Sequence, residues 1–349
     1  MSASAAAGLD QGEAGRRQAL RIGLAVAFGM TAAVLSGSPL PFLAPVFAAQ
    51  FLATSRAPLG LGQAAITTAF IAATGQALSL LAGLTGGNPG LFVLLLWLVY
   101  LGCFTAQARG KGGPLPMLLL TIGVIVPLAD MLHGDLDRSM IAMLAVAVAA
   151  GAALSWAAHA VLPDPGGPAP APPAIPADPG LGRPAVSAAI LAGAVVLCLV
   201  EPRLHSAIVL PVTVATILAR LEFARSLETA MGLVLVNIAG GVAASCAFAV
   251  IELRPDVPVL FLTLLGAGLL FGHGAAQPGK GAVYAGSLAI FLILLGLGLS
   301  PLPGSTADSF ASRIAYVTAG AIGTLWACAL LWPRPALSSH AKETPHGQP

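Results

Sequence analysis

The sequence predicts an all-α, polytopic membrane protein with about twelve transmembrane helices, arranged as two parallel six-helix repeats. Three observations lead to this prediction: few charged residues, twelve apolar runs, and ordered matches between the two halves. Only 9 % of the 349 residues are charged and 57 % are hydrophobic, whereas a soluble protein has roughly a quarter of its residues charged. Since so few charges cannot cover a water-exposed surface, a cytosolic enzyme and a secreted domain are excluded, and the bilayer is expected to surround most of the chain.

The composition and motifs also argue against several kinds of chemistry. A net charge of +2 provides no basic field for nucleic acid. We expect neither a disulfide framework nor a metal site, because each cysteine stands alone in an apolar run. No phosphate-binding loop, nucleophile elbow or zinc-binding histidine motif occurs, so we predict no enzymatic activity and no cofactor.

The first half begins with residues 1–19, a charge-containing stretch that we assign to a cytoplasmic N-terminal segment. It contains no short apolar stretch with a cleavage site, so no signal peptide is predicted. Residues 20–162 form the predicted first repeat. Its apolar runs are Leu20–Leu35, Leu40–Ala53, Ala64–Leu84, Leu91–Ala106, Leu115–Leu132 and Met140–Leu162.

The second half follows a linker, residues 163–184, with nine prolines in 22 residues. That composition predicts a stiff, extended and solvated cytoplasmic segment. Residues 185–332 form the predicted second repeat, and residues 333–349 a cytoplasmic tail. The apolar runs of the second repeat are Ala185–Val200, Ala207–Leu221, Ala230–Leu253, Val257–Phe271, Ala282–Leu299 and Ile314–Trp332.

Three of the twelve runs, 40–53, 207–221 and 257–271, are short for a membrane crossing. A helix needs about 20 residues to cross the hydrocarbon core. We therefore expect these three to be broken, tilted or packed inside the protein, which leaves open whether 40–53 and 207–221 span fully.

The two halves match each other in sequence order, which predicts a duplication. The offset between matching residues drifts only from 166 to 170 along the repeat. The matches are Ala44-Pro45-Val46 with Leu210-Pro211-Val212, Gly75 with Gly241, Gly110-Lys111-Gly112 with Gly279-Lys280-Gly281, Trp156 with Trp326, and Leu162-Pro163 with Trp332-Pro333. Because each repeat has an even number of crossings, the two copies are predicted to be parallel, related by an axis along the membrane normal.

The basic residues predict the orientation, since cytoplasmic loops are enriched in Lys and Arg. With the N-terminus inside, 12 of the 16 basic residues fall in inner segments and four, Arg138, Arg203, Arg254 and Arg313, in outer ones. Dropping one crossing would scramble this division. The sequence thus predicts a multi-pass protein of the inner (plasma) membrane with both termini in the cytoplasm.

Two stretches resemble a known family. Residues 39–53, Pro39-Leu-Pro-Phe-Leu-Ala-Pro-Val-Phe-Ala-Ala-Gln-Phe-Leu-Ala53, resemble the second helix of FUSC-like membrane proteins, the fusaric acid resistance and aromatic acid exporter group. Gln107-Ala-Arg-Gly-Lys-Gly-Gly-Pro114 resembles the loop after their fourth helix, and the arrangement of six runs, a linker and six runs fits as well. The resemblance covers residues 16–335. Larger members carry a soluble domain between or after the helical blocks, so this chain resembles a compact branch.

The resemblance implies an inner-membrane efflux component that exports small, often aromatic, organic acids. It also implies a periplasmic adaptor of the membrane-fusion type as a partner. We expect the proton gradient to drive export. The other expected partners are membrane lipid, the small organic anion itself and, as an open alternative, further copies of the same chain. The other large six-plus-six class, the major facilitator superfamily, is disfavoured because the loop at residues 54–62 has one charge and no acidic residue.

Polar residues inside apolar runs are the candidate substrate-pathway residues, because burying them costs free energy unless they are paired. Paired broken segments in the two halves are a usual place for a transporter binding site, and a proline inside a span bends it. The alternatives are kinks that serve packing only and amides that bond a neighbouring helix. The candidates are Pro45, Gln50, Gln76, Gln107, Pro211, Thr213, Thr216 and Asn237.

The candidate functional residues also include one carboxylate and one set of basic residues. Asp130, after Pro127 in the fifth run, is the candidate for proton coupling, with a plain carboxylate at headgroup level as the alternative. A predicted basic rim on the cytoplasmic side could collect anions, and it consists of Arg109, Lys111, Arg220, Arg225 and Lys280. The alternative is that these residues only determine the topology and contact lipid headgroups.

The sequence leaves two functions open. The first is export of small organic anions, with the substrate bound between the halves near the second and eighth helices. The second is a non-transporting structural subunit that anchors an adaptor or another partner. The scarcity of charge inside the apolar runs favours the second, since a proton-coupled carrier usually keeps an ionisable group near the midplane.

Overall fold

The computed structural model describes residues 3–55, 57–85, 87–111, 115–132, 137–163, 180–201, 209–221, 227–277, 281–300 and 307–331. Within these ranges the chain forms twelve α-helices and no strand, which confirms the all-α class. The helices are α1 (Ala3–Leu35), α2 (Leu43–Thr54), α3 (Leu61–Thr85), α4 (Pro89–Ala108), α5 (Leu115–Leu132), α6 (Asp137–Val161), α7 (Gly182–Val200), α8 (Val209–Leu221), α9 (Leu227–Leu253), α10 (Val257–Ala275), α11 (Gly281–Gly298) and α12 (Ala307–Leu331).

Each predicted apolar run corresponds to one helix, in the same order. Most of residues 1–19 belongs to α1, so the predicted N-terminal segment is continuous with the first run in a single helix. Helix α10 continues four residues beyond the predicted run, because Gly272 and Gly274 lie against Ala19 and Tyr284 and extend the packed face. At 19 residues α10 is long enough to span.

In the described part of the chain, six stretches are long and apolar enough to cross a membrane: Glu13–Leu35, Leu61–Thr85, Pro89–Ala108, Ile141–Val161, Gly182–Val200 and Val257–Ala275. Large apolar side chains are exposed on the outside of several of these helices, among them Leu61, Leu84 and Val200. Soluble proteins avoid such large apolar surfaces, whereas lipid favours them. The architecture is that of a helical membrane protein.

The two shortest helices, α2 and α8, lie inside the protein. Eight of the 12 residues of α2 are buried, and every residue from Leu210 to Ala219 in α8 is buried. The sequence left three alternatives for the short runs: broken, tilted or packed inside the protein. For α2 and α8, the structure shows packing inside the protein. Surrounded by other helices, α2 and α8 do not need the length that lipid contact demands.

Other elements hold the loops at both ends of α2. The Ser300 hydroxyl donates to the Pro39 carbonyl oxygen at 2.7 Å on one side. On the other side, the indole Nε1 of Trp156 donates to the Leu59 carbonyl oxygen at 2.6 Å. These bonds satisfy the carbonyls of Pro39 and Leu59, which lie in the loops on either side of the helix. A 12-residue helix can therefore be buried in the protein while these two loop carbonyls keep hydrogen-bond donors.

Helix neighbours follow the same pattern in both halves. Helix α2 packs on α1, α6 and α11, and α8 packs on α7, α12 and α5. Helix α1 lies along α10, and α4 lies along α7. If each helix is replaced by the one at the same place in the other block of six, every contact named above becomes another contact named above.

Small residues allow the closest helix crossing between the blocks. Gly268 of α10 lies against the backbone of Gly23 in α1, and Gly272 lies against Ala19 one turn away. Small residues spaced by four let backbones approach closely, which is the usual basis of helix association in lipid. Phe28 and Phe261 extend this contact edge to face, with ring centroids 4.9 Å apart.

Candidate functional site

Pro45 and Pro211 occupy the same position, the third residue of α2 and of α8. Amide groups in the first turn of a helix have no partner within it, so a proline there removes no hydrogen bond and causes no kink. Helix α2 begins at Leu43, so the expectation that Pro45 bends it is wrong. The residues just before α8 lie outside the described ranges, so the bend expected at Pro211 stays a prediction.

The predicted polar residues of the short helices lie inside the bundle. Gln50 is half-buried near the end of α2, while Thr213 and Thr216 of α8 are buried. The Thr216 hydroxyl donates to the Val212 carbonyl oxygen of its own helix at 2.8 Å. Thr216 thus has a local partner and can be buried at low cost.

The remaining predicted amides are not brought together. Gln107 lies in the last turn of α4, 9 % exposed, and its buried Oε1 accepts no hydrogen bond in the described part of the chain. Gln76 is exposed on α3, facing away from the packed interior. The backbone of Asn237 belongs to α9, but its side chain lies outside the described residues. Of the two amide side chains that the structure describes here, that of Gln107 is the one placed to accept a hydrogen bond from a bound polar group.

Asp130 lies near the end of α5, with its side chain outside the described residues. The segment that carries it is held by a specific contact. Pro127 lies inside α5 and has no N–H to give to the carbonyl of Gly123, four residues earlier. The hydroxyl of Tyr100, which is 0 % exposed, donates to that Gly123 oxygen at 2.7 Å. Tyr100 on α4 thereby replaces the hydrogen bond that the proline removes.

The predicted basic rim is described only in part. Arg109 and Lys111 are exposed on the turn that ends α4, where Gly110 has a φ of 62°. The Lys111 amide donates to the Ala106 carbonyl oxygen at 2.9 Å, which closes the turn. The side chains of Arg220, Arg225 and Lys280 lie outside the described residues.

Sequence reasoning missed the buried arginine. Arg21 is 2 % exposed, and its Nε donates to the Leu162 carbonyl oxygen, just after α6, at 2.7 Å. A cation is favourable at the carbonyl end of a helix, where the last carbonyls lack partners. The signal was present, because Arg21 is an ionisable residue inside the first apolar run, but it was used only to predict topology.

Arg21 is one of several polar residues on α1, α2 and α6, three helices that pack on one another. These residues are called here the first junction: Gln18, Arg21, Gln50, Ser155 and His159. The Gln18 amide donates to the Leu52 carbonyl oxygen of α2. The ring Nδ1 of buried His159 is 2.8 Å from the Ser155 carbonyl oxygen, so Nδ1 carries the hydrogen. The bonds of Gln18 and Arg21 thus connect α1 with α2 and with the residue that follows α6.

In the second half, α7, α8 and α12 also pack on one another, and their buried residues Ser187, Thr216, Thr324 and Cys328 are called here the second junction. At an offset of 166, Ser187 and Thr216 correspond to Arg21 and Gln50. The offset of 170 that matches Trp156 with Trp326 pairs Ser155 and His159 with Leu325 and Ala329, one position beyond Thr324 and Cys328.

In each half, a glycine packs against the short helix. Gly151 of α6 lies against Ala44, Phe47 and Ala48 of α2, and Gly320 of α12 lies against Leu210 and Val214 of α8. Gly320 is the residue that the offset of 169 pairs with Gly151.

Comparison with known proteins found no match: no protein-family model, no curated protein and no solved structure is similar to this chain. The resemblance to FUSC-like proteins therefore stays a prediction from the residues quoted above. In the part of the chain that the structure describes, no three His, Cys, Asp or Glu residues lie together as a group that could hold a metal ion.

Proposed function

We propose that the protein is an inner-membrane efflux component that exports small organic acids, aromatic ones among them, using the proton gradient and a periplasmic membrane-fusion adaptor. The observation that carries this proposal is the pair of short helices α2 and α8. Both are buried, both carry polar residues, and both contact the opposite block through α11 and α5. Short segments at the interface of two repeats are a common place for a transporter binding site.

The exchange pattern of helix neighbours supports two six-helix repeats, and the matching positions of Gly151 and Gly320 support it independently. We propose twelve crossings with both termini in the cytoplasm. Arg21 bonds Leu162 and Trp156 bonds Leu59, and each pair joins segments that this topology puts on the cytoplasmic side.

In the proposed cycle, exposed Arg109 and Lys111 attract the anion from the cytoplasm. The substrate then binds between the two blocks, near Gln50 and Thr213. Rocking of one block against the other exposes it to the outer side. Because Pro45 begins its helix and does not kink it, no gate is assigned to the prolines.

Proton coupling is assigned to Asp130, the carboxylate residue three positions after Pro127 in α5. A carboxylate in a span binds and releases protons when desolvated. Lipid surrounds the outer helices, and the adaptor is expected on the periplasmic side.

Flux measurements test this proposal. Purified protein in vesicles with an imposed pH gradient is expected to move radiolabelled benzoate. Asp130→Asn and Gln50→Ala are expected to abolish or strongly reduce this flux. Glu252→Gln and Gln63→Ala remove the same chemical groups at exposed positions and serve as matched controls that keep the flux. Equal loss in a control and in its partner variant would contradict the assigned roles.

A structural, non-transporting subunit is the second candidate, and one observation favours it. Among the carboxylates whose side chains are described, Glu13, Glu252 and Asp256 are exposed and Glu201 is half-buried. A proton-coupled carrier usually keeps an ionisable group deep in the membrane. An absence of flux, both alone and with the adaptor present, would support this candidate.

A further inference from the structure

Gln76 places a carboxamide on the outside of a helix that is long and apolar enough to cross a membrane. That helix, α3, is the least buried of the six such stretches in the described part of the chain, with 28 % of its apolar window buried. Gln76 is exposed and lies three residues from the central residue of α3, Ala73. At 1.5 Å per residue it is about 4.5 Å from the middle of the helix. Hydrocarbon, not headgroups, is therefore expected around this side chain.

The Gln76 amide has no hydrogen-bond partner within the described part of the chain. An amide in hydrocarbon without such a partner costs free energy, because lipid tails neither donate nor accept. Threonine and serine in a helix can satisfy their hydroxyls on the preceding turn, as Thr67 does on the Gln63 carbonyl oxygen at 2.8 Å. Gln76 makes no such local bond and needs a partner from outside the fold.

The second half shows that the fold does not need an amide at this position. The offset of 166 that pairs Gly75 with Gly241 also pairs Gln76 with Val242. Both glycines are buried, and both residues that follow them are exposed. The two positions thus have the same orientation on α3 and α9, and the second half fills its position with a side chain that suits lipid. The packing of α3 therefore gives no reason for Gln76.

The surface around Gln76 allows another helix to come close. One face of α3, called here the α3 face, carries exposed residues at intervals of three or four: Ala69, Ala73, Gln76, Leu80 and Gly83. Most of these side chains are small, and a Cβ added at Gly83 would meet nothing within 4 Å. Small residues let helix backbones approach closely in lipid, and glutamine side chains hydrogen-bond across such contacts.

The chemistry of the amide favours a second copy of this chain. A carboxamide contains both donors and an acceptor, so two glutamines can satisfy each other. In a dimer with a two-fold axis along the membrane normal, each surface meets the same surface of the other copy. A residue near that axis then faces its own counterpart at the same depth. A different protein would need its own polar group at that depth to satisfy Gln76 equally well.

We propose that the α3 face is the interface of a homodimer, in which the Gln76 amide hydrogen-bonds Gln76 of a second copy within the membrane. Helix α3 packs on α5 and α6 of its own chain, and the exposed face leaves these contacts in place. The dimer is inferred without reference to transport, so it does not rest on the proposed function.

Self-association in lipid tests this proposal. Full-length protein is labelled at its C-terminus with a donor or an acceptor fluorophore, and energy transfer is measured in phosphatidylcholine vesicles over a range of protein-to-lipid ratios. Gln76→Leu is expected to weaken association about fivefold or more, the scale of lost amide hydrogen bonds between membrane helices. Gln63→Leu removes the same exposed group from the third residue of α3, where headgroups and water can satisfy it. This control is expected to keep the dissociation constant within about twofold.

Cysteine cross-linking locates the interface. In a variant without the four native cysteines, Ala73→Cys is expected to give a disulfide-linked dimer when membranes are mildly oxidised. Ala239→Cys is the matched control, because Ala239 is exposed and corresponds to Ala73 at the offset of 166. It is expected to stay monomeric.

A wild type that stays monomeric at every protein-to-lipid ratio overturns the proposal, whether lipid or a different membrane protein covers the α3 face. Equal weakening by Gln63→Leu, or equal cross-linking at Ala239, overturns it as well. Gln76→Leu introduces a side chain that lipid favours, so the monomer is expected to stay folded. If that variant does not yield monodisperse protein, the two cysteine variants carry the test. Because association is measured without substrate or gradient, an absence of flux would sink the proposed transport and leave the dimer standing.

Discussion

Tyr100 and Pro127 form a complementary pair at the scale of single residues. The proline removes a backbone donor from α5, and the tyrosine hydroxyl on α4 supplies one to the same Gly123 oxygen. An unsatisfied buried carbonyl costs about 1–3 kcal/mol. This contact therefore joins two helices and stabilises the segment that carries Asp130.

A double-mutant cycle tests this pair. Tyr100→Phe is expected to destabilise the protein by about 1–2 kcal/mol, because the Gly123 oxygen loses its donor. In a Pro127→Ala background the alanine N–H can bond that oxygen within the helix, so the same change is expected to cost about 1 kcal/mol less. The stability of the four proteins is measured by thermal unfolding in detergent. An equal loss of stability from Tyr100→Phe in both backgrounds would refute the pairing.

At the scale of helices, the short elements α2 and α8 depend on close contact with α6 and α12. A Cβ added at Gly151 would lie 2.8 Å from the Phe47 Cβ and 3.0 Å from backbone atoms of Ala44 and Ala48. At Gly320 the nearest atom, Cγ of Leu210, is 3.4 Å away. The first contact has no room for a methyl group, and the second has an ordinary van der Waals separation.

Alanine substitutions at these two glycines give a matched comparison. Gly151→Ala is expected to destabilise the protein by about 1–3 kcal/mol, because α6 must move away from the α2 backbone. Gly320→Ala is expected to change stability by less than about 1 kcal/mol. The midpoints of thermal unfolding provide the comparison, and a larger cost at Gly320 would contradict the packing described here.

Sequence patterns predicted the helices well and their internal geometry poorly. The apolar runs located all twelve, because hydrophobic length is a property of each segment alone. The kink expected at Pro45 was wrong because the starting residue of a helix depends on its caps and neighbours. Arg21 was missed as a site residue, since burial of a residue near a span end depends on which helices pack against it.

At the scale of the whole molecule, the proposed topology has α2 carry the chain from one side of the membrane to the other. Its 12 residues span about 18 Å at 1.5 Å per residue, less than the roughly 30 Å hydrocarbon core. In this proposal, the loops held by Ser300 and Trp156 complete the crossing within the protein.

Cysteine labelling tests this crossing. In a variant without the four native cysteines, single cysteines at Ser36 and Asp256 are expected to react with a membrane-impermeant maleimide in intact cells. Single cysteines at Ala57 and Gln277 are expected to react only after permeabilisation, because the proposed topology places them inside. All four positions are exposed. Labelling of Ser36 and Ala57 from the same side would show that α2 does not cross.

We propose that this chain moves organic anions through the interface of its two halves. Uptake of radiolabelled benzoate into vesicles that contain only the purified protein, with and without a pH gradient, tests this directly. We predict saturable uptake that depends on the gradient and disappears when a protonophore is added. Uptake equal to that of protein-free vesicles, under both conditions and again after an adaptor is supplied, would contradict it.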